Sequence, residues 1–204
     1  MALTLTNAEI VLGLPIITDF IEKANDGSTT TVESLACKGL DEEELEGAYI
    51  CFLNGANAGV DRIITDYTSN NTGTFTFDAL TDAVDNTTMF AIVLKSFTPA
   101  ALRAEAVMTN DLRNKGLDID NFLTTSQLKE LHLNRTLAHI CFAKRQDADT
   151  NDTYHINYEE FMAMYTAEMN NLTANYDSNE DGSISTSEQN QELSQIGFSR
   201  WLST

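Results

Sequence analysis

The sequence predicts a helical protein built from repeated helix-loop-helix units, and three observations support this. Residues 177–188 read Asp-Ser-Asn-Glu-Asp-Gly-Ser-Ile-Ser-Thr-Ser-Glu, with oxygen-bearing side chains at alternate positions around a glycine. The preceding segment, Phe161–Tyr176, sets Met162, Tyr165, Met169, Leu172 and Tyr176 at three- and four-residue steps, one face of a helix about 24 Å long. Weaker copies of the same loop recur upstream at uneven spacing, each preceded by apolar residues on helical spacing.

Taken in chain order, the first copy is Glu22–Glu33, with Gly27 at its turn and Leu14, Ile17 and Ile21 on the face of an entering helix; Ala24 lacks a ligand oxygen. Asp41–Leu53 reads as a connecting helix, because Asp41, Glu42, Glu43 and Glu44 suit a helix start. Asn54–Gly59 is a glycine-rich turn. The second copy, Thr68–Ala79, has Gly73 at its turn, Phe75 as its core residue, and Val60, Ile63, Ile64 and Tyr67 on its entering helix. It has no first carboxylate, and Ala79 stands where a bidentate acid is needed. Thr87–Phe97 is apolar enough for a buried helix, and Pro99 starts another running to about Asn114. The third copy, Gly116–Gln127, keeps Asp118 and Asp120 but ends in neutral Gln127.

The fourth copy ends clearly, with Ile156 as the core residue, Glu160 as the closing acid and Phe161 opening the next helix. Its start is open. Counting back from Glu160 puts the first ligand at Asp149, followed by Asn151, Thr153 and the backbone oxygen of His155, with Tyr154 in the glycine place. A longer version starts at Asp147 and uses Asp149 and Asn151. The last copy is complete. Asp177, Asn179 and Asp181 offer side-chain oxygens, Gly182 allows the sharp turn, Ser183 offers its carbonyl, Ser185 acts directly or through water, and Glu188 gives two oxygens. A hard cation takes six to eight oxygens at about 2.3–2.6 Å, which this spacing supplies.

Bulk composition bounds the function. Thirty-one acids against 12 bases give a net charge of −19, which repels nucleic acid and anionic surfaces and attracts cations. No apolar stretch reaches the ~18–20 residues of a membrane span. Cys37, Cys51 and Cys141 are an odd, dispersed set that suits reduced thiols in the cytoplasm and small apolar packing positions. The N-terminal apolar run, interrupted by Pro15 and lacking a basic start, does not read as a secretory signal. His132, His139 and His155 form no recognisable catalytic or metal pattern, so no enzyme is expected.

On Asp177–Glu188 and then Asp147–Phe161, the chain resembles the EF-hand superfamily, and its number of loops is similar to calmodulin-like and sarcoplasmic calcium-binding proteins. The resemblance implies an all-α fold of EF-hand helix-loop-helix repeats in two lobes, with very short paired strands between loops. The lobes would be residues 1–98, with two degenerate loops, and 99–204, with one degenerate and two calcium-binding loops, divided around Ser96–Ala101. It implies Ca2+ as the ligand, with Mg2+ as competitor. Three roles follow as expectations. A sensor or modulator would open an apolar groove lined by Met162, Met164 and Met169 for a partner helix. A buffer would hold calcium without opening. An interaction module would form a homodimer, for which Ile196, Phe198, Trp201 and Leu202 supply apolar surface.

Overall fold

β-branched and aromatic residues, not helical spacing, decide the first half of the chain. The computed structural model describes residues 3–69, 71–122, 126–145, 152–172 and 176–177. The chain divides into two units, one of Thr6–Thr98 and one of Met1–Leu5 with Pro99–Thr204.

The first unit is a seven-stranded sheet in which every pairing is antiparallel. Its strands are β1 (Phe20–Lys23), β2 (Asp26–Gly27), β3 (Thr31–Ser34), β4 (Tyr49–Phe52), β5 (Asp61–Ser69), β6 (Gly73–Phe77) and β7 (Met89–Val93), in the order β1-β7-β4-β5-β6-β3-β2. Two short helices, α1 (Asn7–Gly13) and α2 (Glu42–Leu45), complete it. The edge strands β1 and β2 are consecutive in sequence. Between them the Ala24 N–H donates to the Thr88 carbonyl at 2.9 Å and the Asn25 N–H to the Glu33 carbonyl at 2.7 Å. The sheet therefore curls until its two edges nearly meet, a half-barrel.

The curl is filled by side chains. Phe52, Tyr67, Phe75, Phe77 and Phe90 are its largest buried members, and Phe75 sits between Tyr67 and Phe90 at ring separations of 5.0 and 5.9 Å. Strands β4 and β7 are buried on both faces. Ile50, Phe52, Phe90 and Ile92 face inward, while Cys51, Ala91 and Val93 pack beneath Ala8 and Val11 of α1. Thr6 starts α1 with a capping box, its hydroxyl accepting from the Glu9 N–H while the Glu9 carboxylate accepts from its own N–H.

This sheet overturns the all-α expectation and, with it, the EF-hand repeat and the calmodulin-like resemblance. Each misread element has a physical reason. Thr87–Phe97, expected as a buried helix, holds strand β7, because a short apolar run buried on both faces reads alike in either state. Asp41–Leu53 is helical only over Glu42–Leu45 and then becomes β4. Ile64 and Tyr67, three residues apart, mimic a helix face. They lie on a strand whose register shifts between Ile64 and Asp66, and that irregularity turns both inward. Ile63, expected on the same face, is half exposed.

Gly27 and Gly73, expected at loop turns, lie in β2 and β6. A Cβ on Gly27 would stand 2.6 Å from the Thr31 carbonyl oxygen, and one on Gly73 would stand 2.7 Å from that of Cys37. Both glycines serve close backbone approach rather than a left-handed turn. The turn expectation holds for Asn54–Gly59, where Gly55 and Gly59 have φ of 72° and 81°.

Cys37, Cys51 and Cys141 are free and buried. Burial pushes the Cys51 thiol up to about 12 and that of Cys141 to about 11, and raises that of Cys37. Thiolate is therefore scarce in the folded state near neutral pH. An aromatic disulfide reagent at about pH 8 should react slowly with the native chain and with all three thiols at once in guanidinium. Rapid native reaction would contradict this burial.

Candidate functional site

The second unit contains α3 (Thr98–Asn114), α4 (Ser126–Lys144) and α5 (Thr153–Asn170). The start of α3 agrees with the helix expected from Pro99 to about Asn114. Its end is a Schellman motif. Gly116 (φ 77°) follows the last turn, its N–H donates to the Arg113 carbonyl at 2.9 Å, and the Leu117 N–H donates to the Leu112 carbonyl at 3.0 Å. Gly116 thus terminates a helix rather than opening a chelating loop. The Asp118 carboxylate accepts from the Asp120 N–H at 3.1 Å, starting a 3-10 turn over Ile119–Asn121. Asp118 and Asp120 are exposed.

Phe122 forms an isolated antiparallel bridge with Tyr176. Their rings meet edge to face at 5.0 Å, inside a core that includes Met108, Leu112, Leu131, Tyr165 and Met169. The Tyr176 phenol oxygen accepts from the Asp118 N–H at 3.2 Å, and the Asp177 N–H donates to the Asn121 carbonyl at 2.9 Å. Asp177, the first residue of the acidic dodecapeptide, is 4% exposed.

The other residues of that dodecapeptide, Asn179, Asp181, Ser183, Ser185 and Glu188, lie outside the described residues, as do Asp147, Asp149 and Asn151. So do Ile196, Phe198, Trp201 and Leu202. Thr153, His155 and Glu160 are described, and they do not converge. All three lie on the first half of α5, where Thr153 and Glu160 are about two turns apart and the His155 carbonyl, expected as a ligand, belongs to the helix backbone between them. The His155 Nε2 instead lies 3.4 Å from Glu159.

Asp152, between the expected ligands, caps α5 by accepting from the Tyr154 N–H at 3.1 Å. Ile156, expected in the core, is 52% exposed. The chelating loop expected to end at Glu160 is therefore helix from Thr153 onward. Of the three methionines, Met169 is buried, Met162 packs half-buried against the same core and Met164 is exposed.

Sequence reading missed two polar groups here. The Tyr165 O–H donates to the Asp111 carboxylate at 2.7 Å, and burial followed by that carboxylate raises the phenol pKa. On α4 and α5, Arg135, His139, Phe142 and Tyr158 line a cleft. The signal for the α4 members was present as Arg135, His139 and Phe142 at steps of four and three, a spacing that puts side chains on one helix face. In the sheet unit, Glu42, Glu46 and Asp66 bring exposed carboxylates within 4.8 Å of one another, a group that water and counterions screen.

Among the described residues, no helix is long and apolar enough to cross a membrane. No family model, curated protein or solved structure matches the chain.

Proposed function

We propose that the second unit binds one divalent cation, Ca2+ with Mg2+ as competitor, through the acidic segment starting at Asp177, in a binding rather than catalytic role. The observation that supports this reading is the burial and backbone anchoring of the segment's first residue. Asp177 is nearly buried, its backbone is tied to Asn121, and it directly follows Tyr176, which is bridged to Phe122. A fixed first ligand lowers the ordering cost of the oxygens that follow it. The spacing of Asn179, Asp181, Ser183, Ser185 and Glu188 supplies those oxygens. The net charge of −19 favours cation approach. The reading concerns this single segment and does not depend on a repeat. Since Tyr176 belongs to the helical core, occupancy at Asp177 acts directly on the packing of that core.

Calcium calorimetry on the native chain and on Glu188→Gln tests the reading. The native chain is expected to bind with Kd of about 10⁻⁷–10⁻⁵ M, the range of loops with this moderate ligand charge. Glu188→Gln loses a bidentate oxygen pair and is expected to weaken binding at least tenfold, about 1.4 kcal/mol. Equal heats from both proteins would overturn the assignment.

A further inference from the structure

Arg135, Ala138, His139, Phe142 and Tyr158 enclose a cleft of about 240 Å³ in the helical unit. Four of them lie on α4 at steps of three, one and three, one face of the helix, and Tyr158 faces them from α5. Ala138, the small residue among them, is buried. Tyr158 and Phe142 pack at 5.6 Å, and the Arg145 guanidinium lies 4.0 Å from the Phe142 ring centre and 5.3 Å from that of Tyr158.

The polar chemistry of the cleft is one-sided. Arg135 Nε, always a donor, and His139 Nε2, a donor in the tautomer that carries its proton there, are buried and make no hydrogen bond. The other end of Arg135 is held, with one Nη donating to the Met162 sulfur and the guanidinium 5.3 Å over the Tyr165 ring. No carboxylate lines the cleft among the described residues. A buried donor left without an acceptor costs about 1–3 kcal/mol, and more when it is charged. Such donors in a chain of net charge −19 point to an acceptor that enters from solution.

We propose that this cleft binds a small aromatic carboxylate, its carboxylate accepting from Arg135 and His139 and its ring packing against Phe142 and Tyr158. A planar carboxylate offers two oxygens to two donors four residues apart on one helix face. The volume lies below the ~300 Å³ lower end of drug-sized sites and suits a single ring. Both nitrogens are closed to solvent, so binding requires the side chains around them to shift, and Phe142, 49% exposed, has room to do so. Burial, and then the charges of Arg135 and Arg103, hold the His139 imidazole below its usual pKa, so it is neutral near pH 7 and has one N–H to give. A bound anion opposes those charges and should raise that pKa.

The test follows the His139 and Tyr158 ring protons by NMR while the full chain is titrated separately with benzoate, benzyl alcohol, acetate and inorganic phosphate. Benzoate is expected to give saturable shifts, to bind at least tenfold tighter than the other three, and to raise the His139 pKa. Arg135→Gln should weaken benzoate at least tenfold. The four-ligand comparison on the native chain holds even if that variant folds poorly. Absence of saturable benzoate shifts, equal binding of benzyl alcohol, or tighter binding of acetate or phosphate would each overturn the proposal.

Discussion

Phe75→Ala is expected to lower the stability of the sheet unit by about 3–5 kcal/mol, the usual effect of emptying a large aromatic site in a closed core. Phe75 is fully buried, with Tyr67 on one side and Phe90 on the other. It sits at the middle of β6, paired to β3 through Val32 and to β5 through Tyr67. No neighbouring element can close such a hole cheaply, because the curled sheet holds the surrounding strands by backbone hydrogen bonds. A loss of this size is a large share of the ~5–15 kcal/mol that holds a typical domain. Urea unfolding followed by tyrosine fluorescence reads it directly. Ile63→Ala, on the half-exposed face of β5, is the control and should move the midpoint little. A Phe75→Ala loss under about 1 kcal/mol would contradict a core built inside a curled sheet.

Phe122→Ala is expected to have two separable effects. It removes a fully buried ring from the helical core, again about 3–5 kcal/mol. It also removes the edge-to-face partner of Tyr176 and loosens the bridge that positions Asp177. If the acidic segment binds calcium from that fixed start, affinity should fall at least tenfold in a variant that is still folded at the temperature of the titration. Leu102→Ala, at a side chain 61% exposed on α3, should change neither stability nor affinity appreciably. Phe122→Ala with full calcium affinity would separate the segment from its anchor. Denaturant unfolding and calorimetry on the same preparations distinguish these outcomes.

The sequence made some elements legible because a local rule governed them. Pro99 marks the start of α3, since a proline ring suits the first turn of a helix. Gly55 and Gly59 mark a turn because the backbone there takes positive φ. The three buried thiols follow from an odd, scattered cysteine set. The sheet was hidden because its cues coincide with helical ones. A register shift between Ile64 and Asp66 puts Ile64 and Tyr67, three apart, on one face, and β4 and β7 are apolar on both faces, so alternation disappears. Gly27 and Gly73 looked like turn residues, whereas their role is to let the Thr31 and Cys37 carbonyls approach.

The candidate site divides in the same way. Asp and Asn near Asp147–Glu160 resemble ligands because the oxygen that caps a helix also suits a cation, and Asp152 is a cap. Thr153, His155 and Glu160 lie on the helix that follows it. Asp118 spends its carboxylate on a turn for the same reason. Asp177 is buried, bonded to Asn121 through its backbone and next to the Phe122–Tyr176 bridge, an arrangement that no local pattern joins. Long-range bridges of this kind leave little trace in a single sequence.

Native mass spectrometry of the full chain in calcium, with Asp177→Asn beside it, decides whether the segment starting at Asp177 holds a cation. One calcium ion per native chain is expected, with the calcium concentration for half occupancy raised at least tenfold in the variant. No bound ion on the native chain, two or more tightly held ions, or an unchanged half-occupancy concentration in Asp177→Asn would contradict this assignment.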